Sequence, residues 1–261
     1  MRPSVPPPAP AQQTRSPAPP GPPSAAQLAA ELGSLLPAAE AVPPESFELV
    51  DAARELVEAV VLTGADPDEL AEVTRVVRQA SARLGRGRRE DAVRLVRHRD
   101  GRVEHLTQAG SGRLNPQAPP LVFERLPVPP TGGSMDPAVP LQIVARCRLT
   151  AAHGGGPGRV HGSVVAGMLD EVLGVAATAA GASGLTVALE VRFRRATPYG
   201  APLEIVGRFT GSEGRKSFAA GEVRADGTVT AEAKAVFVAP PDPVRAPDAS
   251  PRRPLPGREA R

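Results

Sequence analysis

Tryptophan is missing from the 261 residues, tyrosine occurs once and phenylalanine six times. So few flat side chains leave nothing on which successive bases could stack, which excludes the usual platform for single-stranded nucleic acid. Cysteine is as scarce: the lone Cys147 rules out an internal disulfide framework and every multi-cysteine metal site. It stands between Arg146 and Arg148 in an alternating stretch, where a small buried apolar residue is a plainer reading than a nucleophile. Lysine is confined to Lys216 and Lys234, so the 31 basic residues are nearly all arginine and, against 28 acids, leave a formal charge of +3. With Ala, Pro and Gly abundant, that excess reads as the bias of a GC-rich genome and not as a nucleic-acid footprint. The first residues are one arginine and then prolines, with no apolar run, so a signal peptide is not expected and the cytoplasm is the default location.

What is abundant at the ends is proline. Ten of the first 23 residues are proline, and the tail from Pro240 to Arg261 has seven more with five arginines against three acids. Neither end can bury a core, and both are expected to be disordered. Leu28, Leu32, Leu35 and Leu36 outline a short helix that Pro37 ends. From Glu45, apolar residues Phe47, Val50, Ala53, Leu56, Val57 and Val60 share a helical face up to Thr63-Gly64. A second helix opens with Asp66 as N-cap, Pro67 at its first position and Glu69 three residues after the cap. Its buried face is predicted to be Leu70, Val73, Val77, Ala80 and Leu84, and Gly85 ends it. The two form a helical hairpin that packs on itself or on the rest of the chain. Residues 86–105, dense in arginine with interspersed acids, read as a solvated, poorly ordered connector.

The second half is built around residues 159–195. After the loop His153-Gly154-Gly155-Gly156-Pro157-Gly158, Val164, Val165, Met168, Leu169, Val172, Leu173 and Ala176 recur at three-and-four spacing, predicting a helix from near Gly162 to near Gly181. Asp170 and Glu171 in its middle would each cost roughly 2.5–3.5 kcal/mol at a bilayer centre, so a core helix wrapped by a sheet is the better reading than a membrane span. The strand Thr186–Arg195 alternates Val187, Leu189, Val191 and Phe193 against Ala188, Glu190, Arg192 and Arg194. Pro202–Thr210, Lys216–Arg224 and Thr228–Val238 alternate likewise, with Asp226-Gly227 a strong hairpin signal. Ahead of the helix, Leu121–Glu124 and Val139–Leu149 read as strands. The expected fold is therefore α+β, with four antiparallel strands in a meander completing a sheet around one long helix.

Several sites are excluded by motif. His153-Gly154-Gly155-Gly156 imitates an esterase oxyanion loop, yet no Gly-x-Ser-x-Gly elbow follows. No phosphate loop and no His-Glu-x-x-His is present. What remains is His161-Gly162 at a helix start, where free N–H groups suit developing negative charge, and Asp170 eight residues on, a candidate general base or nucleophile. Thr186 opens the next strand. On the residues alone, a structural role for Asp170 and His161 is the stronger alternative.

His161-Gly162, the step to Asp170-Glu171, the Arg192-Phe193-Arg194-Arg195 strand, Glu213-Gly214-Arg215-Lys216 and the closing Ala231–Val238 together resemble the hotdog-fold acyl-CoA thioesterases of the PaaI type and their mammalian thioesterase-superfamily relatives. Asn115-Pro116-Gln117-Ala118-Pro119-Pro120 also looks like the entry of bacterial members. The resemblance covers residues 111–239 and implies a hotdog domain there, after a Pro-rich segment (1–44) and a helical hairpin with its connector (45–110), and before the tail (240–261). It implies that the N–H of Gly162 polarises the thioester carbonyl, His161 holds that loop, Asp170 is the base or nucleophile and Thr186 positions the water. It further implies that Arg192, Arg194, Arg215, Lys216 and Ser217 contact coenzyme A, that no cofactor or metal is needed, and that the assembly is a homodimer or a dimer of dimers with shared sites. Relatives usually carry a second glycine where this chain has Ser163. A hydratase of the same fold would need a histidine soon after Asn115-Pro116, where Gln117-Ala118 stands instead. A non-catalytic acyl-CoA-sensing module is the other alternative, and it has no need of Asp170 and Thr186.

Overall fold

The computed structural model describes residues 35–126 and 142–240, so the Pro-rich ends and the helix outlined by Leu28 and Leu32 lie outside the described residues. Helix α1 (Pro44–Leu62) turns Val50 inward with half-buried Phe47, Ala53 and Arg54. The Arg54 guanidinium donates to the carbonyls of Asn115 and Ala118 at 3.4 and 3.2 Å, and Glu58 accepts the Ala151 N–H at 3.3 Å. Leu56, Val57 and Val60, predicted for the same face, point outward. They lie just off the narrow strip that these polar anchors hold against the body.

Helix α2 (Pro67–Gly85) begins as its sequence demands, the N–H groups of Asp68 and Glu69 both donating to Asp66 Oδ1 at 3.0 Å. It buries no residue, so the predicted packing of Leu70, Val73, Val77, Ala80 and Leu84 is not made among the described residues. The connector is ordered further than expected: β1 (Leu95–Arg97) and β2 (Val103–His105) form an antiparallel hairpin. Val96, Leu106 and Val42 make a small core beneath it with Phe47 and Leu114, and Arg113 lies over the Phe47 ring at 4.9 Å. Burial raises the Glu104 carboxyl, but hydrogen bonds from Arg113 and His98 more than reverse this and hold it below the usual range.

The main sheet has six antiparallel strands. β3 (Val122–Leu126) and β4 (Gln142–Arg148) pair first; residues 139–141 of the predicted longer strand lie outside the described residues. The glycine loop folds into a two-stranded ribbon, β5 (Gly154–Gly156) with β6 (Arg159–Val160). Then come α3 (Gly162–Ala179), β7 (Leu185–Phe193), β8 (Pro202–Glu213), β9 (Lys216–Ala225) and β10 (Thr228–Val238). The order across the sheet is β3-β4-β8-β9-β10-β7. Only β8, β9 and β10 follow one another as a meander. β7 crosses to the far edge beside β10, because eight linking residues carry the chain away before β8 begins.

α3 lies across this sheet with Val165, Met168, Leu169, Val172, Leu173, Ala176 and Ala177 buried. The five larger of these contribute on the order of 10 kcal/mol of transfer free energy before entropy is set against it. It is the one described helix long and apolar enough to cross a membrane by composition, and its apolar face is spent on the sheet. Gly207 and Gly221, partners across β8 and β9, form a notch for it. A Cβ at Gly207 would come within 2.9 Å of the Val172 carbonyl oxygen. The helix closes on Gly181 (φ 76°), with the N–H groups of Gly181 and Ala182 returning to the carbonyls of Thr178 and Ala177 at 3.0 and 2.9 Å. Asp226 and Gly227, both at positive φ, make the tight turn between β9 and β10.

β7 is an edge strand. Leu189 and Val191 of its predicted buried face pack on the core, but Leu185, Val187 and Phe193 are 67, 60 and 56% exposed, and no strand among the described residues lies along that edge.

Candidate functional site

The start of α3 is positioned by the ribbon before it. The His161 N–H donates to the His153 carbonyl at 2.9 Å, and Gly155 runs so close that a Cβ there would lie 2.6 Å from the His161 Cα. His161 is the N-cap: its Nδ1 accepts the Ser163 N–H at 3.1 Å and sits 2.7 Å from the Ser163 hydroxyl. An Nδ1 that accepts a backbone N–H carries no proton, so the Ser163 hydroxyl donates to it and the ring proton is on Nε2, on an exposed imidazole. The Ser163 that stands in place of a glycine is thereby built into the cap.

Among the described residues, the Gly162 N–H has no acceptor. It points out of the first turn at the positive end of the helix. The Phe193 ring packs over this glycine, 3.2 Å from where a Cβ would stand. Sequence reasoning missed that contact, although Gly162 next to a helix cap and an aromatic at the end of an apolar strand were both visible.

The two acids of α3 part company. Glu171 Oε1 accepts from the Ser111 hydroxyl at 2.7 Å and from the Gln108 amide, so it pins the loop before β3 to the helix. Asp170 Oδ1 is buried and has no hydrogen-bond partner among the described residues. Asp170 lies on the side of α3 away from the sheet, which it shares with Ser163 and Gly167. Gly162 and Asp170 are separated by about 12 Å along the axis, at about 1.5 Å for each of eight residues, so one protomer does not bring them to one reacting atom.

Thr186 is exposed on β7, opposite Phe237 of β10. Arg192 pairs with Glu190 at 2.8 Å, and Arg194 grips Glu232 through two nitrogens at 3.0 and 2.8 Å. Arg215 donates twice to the Ala239 carbonyl, at 2.9 and 2.6 Å, while Lys216 is exposed. Ser217 is buried, its hydroxyl donating to the Ala182 carbonyl at 2.9 Å, which ties the β8–β9 turn to the end of α3. Cys147 lies beside Met168, sulfur to sulfur at 3.8 Å, and burial pushes its thiol up to about 12. Among the described residues, no group of three or more His, Cys, Asp or Glu side chains could hold a metal ion.

A family model, that of the thioesterase superfamily, matches residues 157–232. Among solved structures, the chain is similar to a thioesterase superfamily protein with 32% identity and a TM-score of 0.62, the match covering 77% of this chain and 97% of that one. A phenylacetic acid degradation-related protein from Ralstonia eutropha JMP134 is 25% identical over 45% of this chain and 83% of its own, with a TM-score of 0.38. A hypothetical thioesterase protein from Streptococcus pneumoniae TIGR4, crystallised with coenzyme A, is 17% identical over 37% of this chain and 80% of its own, with a TM-score of 0.36. No curated protein matches the chain.

Proposed function

The chain belongs to the thioesterase superfamily, and from that membership and its own residues we propose that it hydrolyses an acyl-CoA thioester to a free acid and coenzyme A. The observation that carries this reading is the unspent, buried Oδ1 of Asp170 beside a Glu171 whose Oε1 is taken up by Ser111 and Gln108. A buried carboxylate oxygen without a donor is costly unless its place is taken by a reacting water.

The proposed reaction uses two subunits. The Gly162 N–H of one, at the positive end of α3, donates to the thioester carbonyl oxygen as it gains charge. The partner subunit's Asp170 takes a proton from water as the water oxygen bonds to the acyl carbon; the C–S bond then breaks and the coenzyme A sulfur leaves with that proton. Thr186 holds the water. The roughly 12 Å between Gly162 and Asp170 on one helix is what requires the second subunit, since two antiparallel helices about a two-fold axis bring the donor of each to the acid of the other. The small residues flanking Asp170 and the open apolar edge of β7 support such an approach. Lys216 and Arg215 at the β8–β9 turn, with Arg192 and Arg194, would meet the phosphates of coenzyme A. The ion pairs that now hold Arg192 and Arg194 are exposed and contribute only about 0–1 kcal/mol each, so a phosphate can displace them. Ser217 shapes that turn from below.

Thiol release, followed across short, medium, long and aromatic acyl-CoAs, tests the activity. Asp170→Asn should lower kcat by about 10²–10⁴ in a protein that still folds and binds coenzyme A. Undiminished turnover in that variant would overturn the assignment.

A further inference from the structure

Helix α2 carries an apolar seam that nothing among the described residues covers. Leu70, Val73, Val77, Ala80 and Leu84 follow one another at spacings of three, four, three and four, the a/d repeat of a helix that packs along a second helix. Yet α2 buries no residue: Leu70, Val73 and Leu84 are 44, 38 and 58% exposed. Ten of the exposed large apolar side chains on the described residues lie on α1 and α2, against three on the open edge of β7.

The charges of α2 say what covers it. Asp66, Asp68, Glu69 and Glu72 occupy the first half, whereas from Thr74 to Arg89 there are six arginines and no acid. Complementing the helix's own dipole accounts for charges in the first and last turns only. Glu72, Arg75 and Arg78 lie farther in, so the polarity exceeds what one helix requires. A second α2 laid antiparallel sets each acidic half against a basic half. In that register Leu70 meets the second copy's Ala80, Val73 meets its Val77, and Glu69 flanks its Arg83. A parallel pair would oppose like charges along its whole length.

We infer that α2 is an interface helix, which pairs antiparallel with α2 of a second copy of this chain through the Leu70–Leu84 seam. Three acids and the lack of any aromatic residue on α2 set it apart from helices that lie on anionic lipid. A pair only 19 residues long is marginal alone, so it acts as a clamp on copies that also touch elsewhere. The pairing does not use Gly162, Asp170 or the coenzyme A turn, so it stands or falls apart from the proposed hydrolysis.

The test is sedimentation of the full chain over a range of concentrations. Glu69→Arg with Glu72→Arg makes α2 wholly basic at its flanks, and Arg78→Glu with Arg83→Glu makes it wholly acidic. Because α2 buries no residue in the protomer, neither variant removes core contacts, and far-ultraviolet circular dichroism checks that the helix persists. Each variant alone should need at least tenfold higher concentration to associate, and an equimolar mixture of the two should regain wild-type association. Unchanged association of the single variants would overturn the inference, as would weakened variants that mixing fails to rescue, since α2 would then dock on another surface. Cosedimentation of wild-type protein with phosphatidylserine vesicles, lost in a Val73→Glu variant, would equally overturn it in favour of a lipid surface.

Discussion

At the scale of single residues, neighbours in the sequence have opposite fates. Asp170 and Glu171 are adjacent acids on one helix, but a helix turns about 100° between them, enough to put one against the loop at Gln108 and Ser111 and leave the other facing away from both loop and sheet. No periodicity could have told which acid is spent, because the donors come from some sixty residues upstream. Cys147 shows the opposite case, legible from its neighbours alone. Alternation between two arginines says that it faces inward, and burial against Met168 raises its thiol to about 12. The thiolate is the reactive form, so Cys147 should resist a maleimide for hours at pH 7.5 in the folded protein and react within minutes in denaturant. Rapid labelling of the native chain, read by intact mass, would contradict that placement. His161 and Ser163 lie between these extremes: the histidine was visible as the residue before a helix, but its tautomer follows only from the hydrogen bonds that Ser163 supplies.

At the scale of elements, long periodic segments were readable and their partners were not. α3 and β8 to β10 announce themselves through repeats of 3.6 and 2, and the Asp226-Gly227 turn through its chemistry. β7 reads as a half-buried strand, but which strand lies beside it is decided across the sheet. β1 and β2, at three residues each, are too short to show alternation against an arginine-rich background. The seating of α1 gives a prediction at this scale. The Thr150 N–H donates to His153 Nδ1 at 3.3 Å in the turn that also offers the Ala151 N–H to Glu58. Burial is the main cause that holds His153 below its ordinary value of 6.5, aided by the charge of Arg54 and opposed by the Thr150 backbone and by Glu58. The unfolded chain therefore takes up this proton first as pH falls. Stability from this site is complete above about 6.5 and is lost progressively between there and the lower folded value. Melting temperatures at pH 7.5 and 5.5 should differ more for the wild type than for His153→Gln, by a few degrees. Equal differences would mean that His153 does not report on this joint.

At the scale of the whole molecule, the protomer holds the parts of the proposed site without assembling them. Gly162 and Asp170 stand at different heights of one helix, and large apolar side chains are left open on β7, α1 and α2. If each site is shared, Asp170→Asn subunits and subunits with Gly162→Pro, both inactive alone, should recover activity when mixed, because one of the two sites in a mixed dimer has both intact groups. Random exchange makes half of the dimers mixed, so about a quarter of wild-type activity is expected. No recovery after exchange has been verified by mass would exclude the shared site.

The open edge of β7 has a consequence for the protein before it meets a second copy. Every second backbone N–H and C=O from Leu185 to Phe193 faces away from β10, in a strand whose outward side chains include Leu185, Val187 and Phe193. Such a border accepts any extended segment that offers itself, in any register. Glu190, Arg192 and Arg194 act as gatekeepers on it, since a wrongly placed strand must bring its own charges to meet theirs. A newly made chain is therefore most vulnerable to clumping in the interval between folding and the proposed pairing, and a variant that cannot pair, heated at the same concentration, should yield fibrous precipitate sooner than the wild type does.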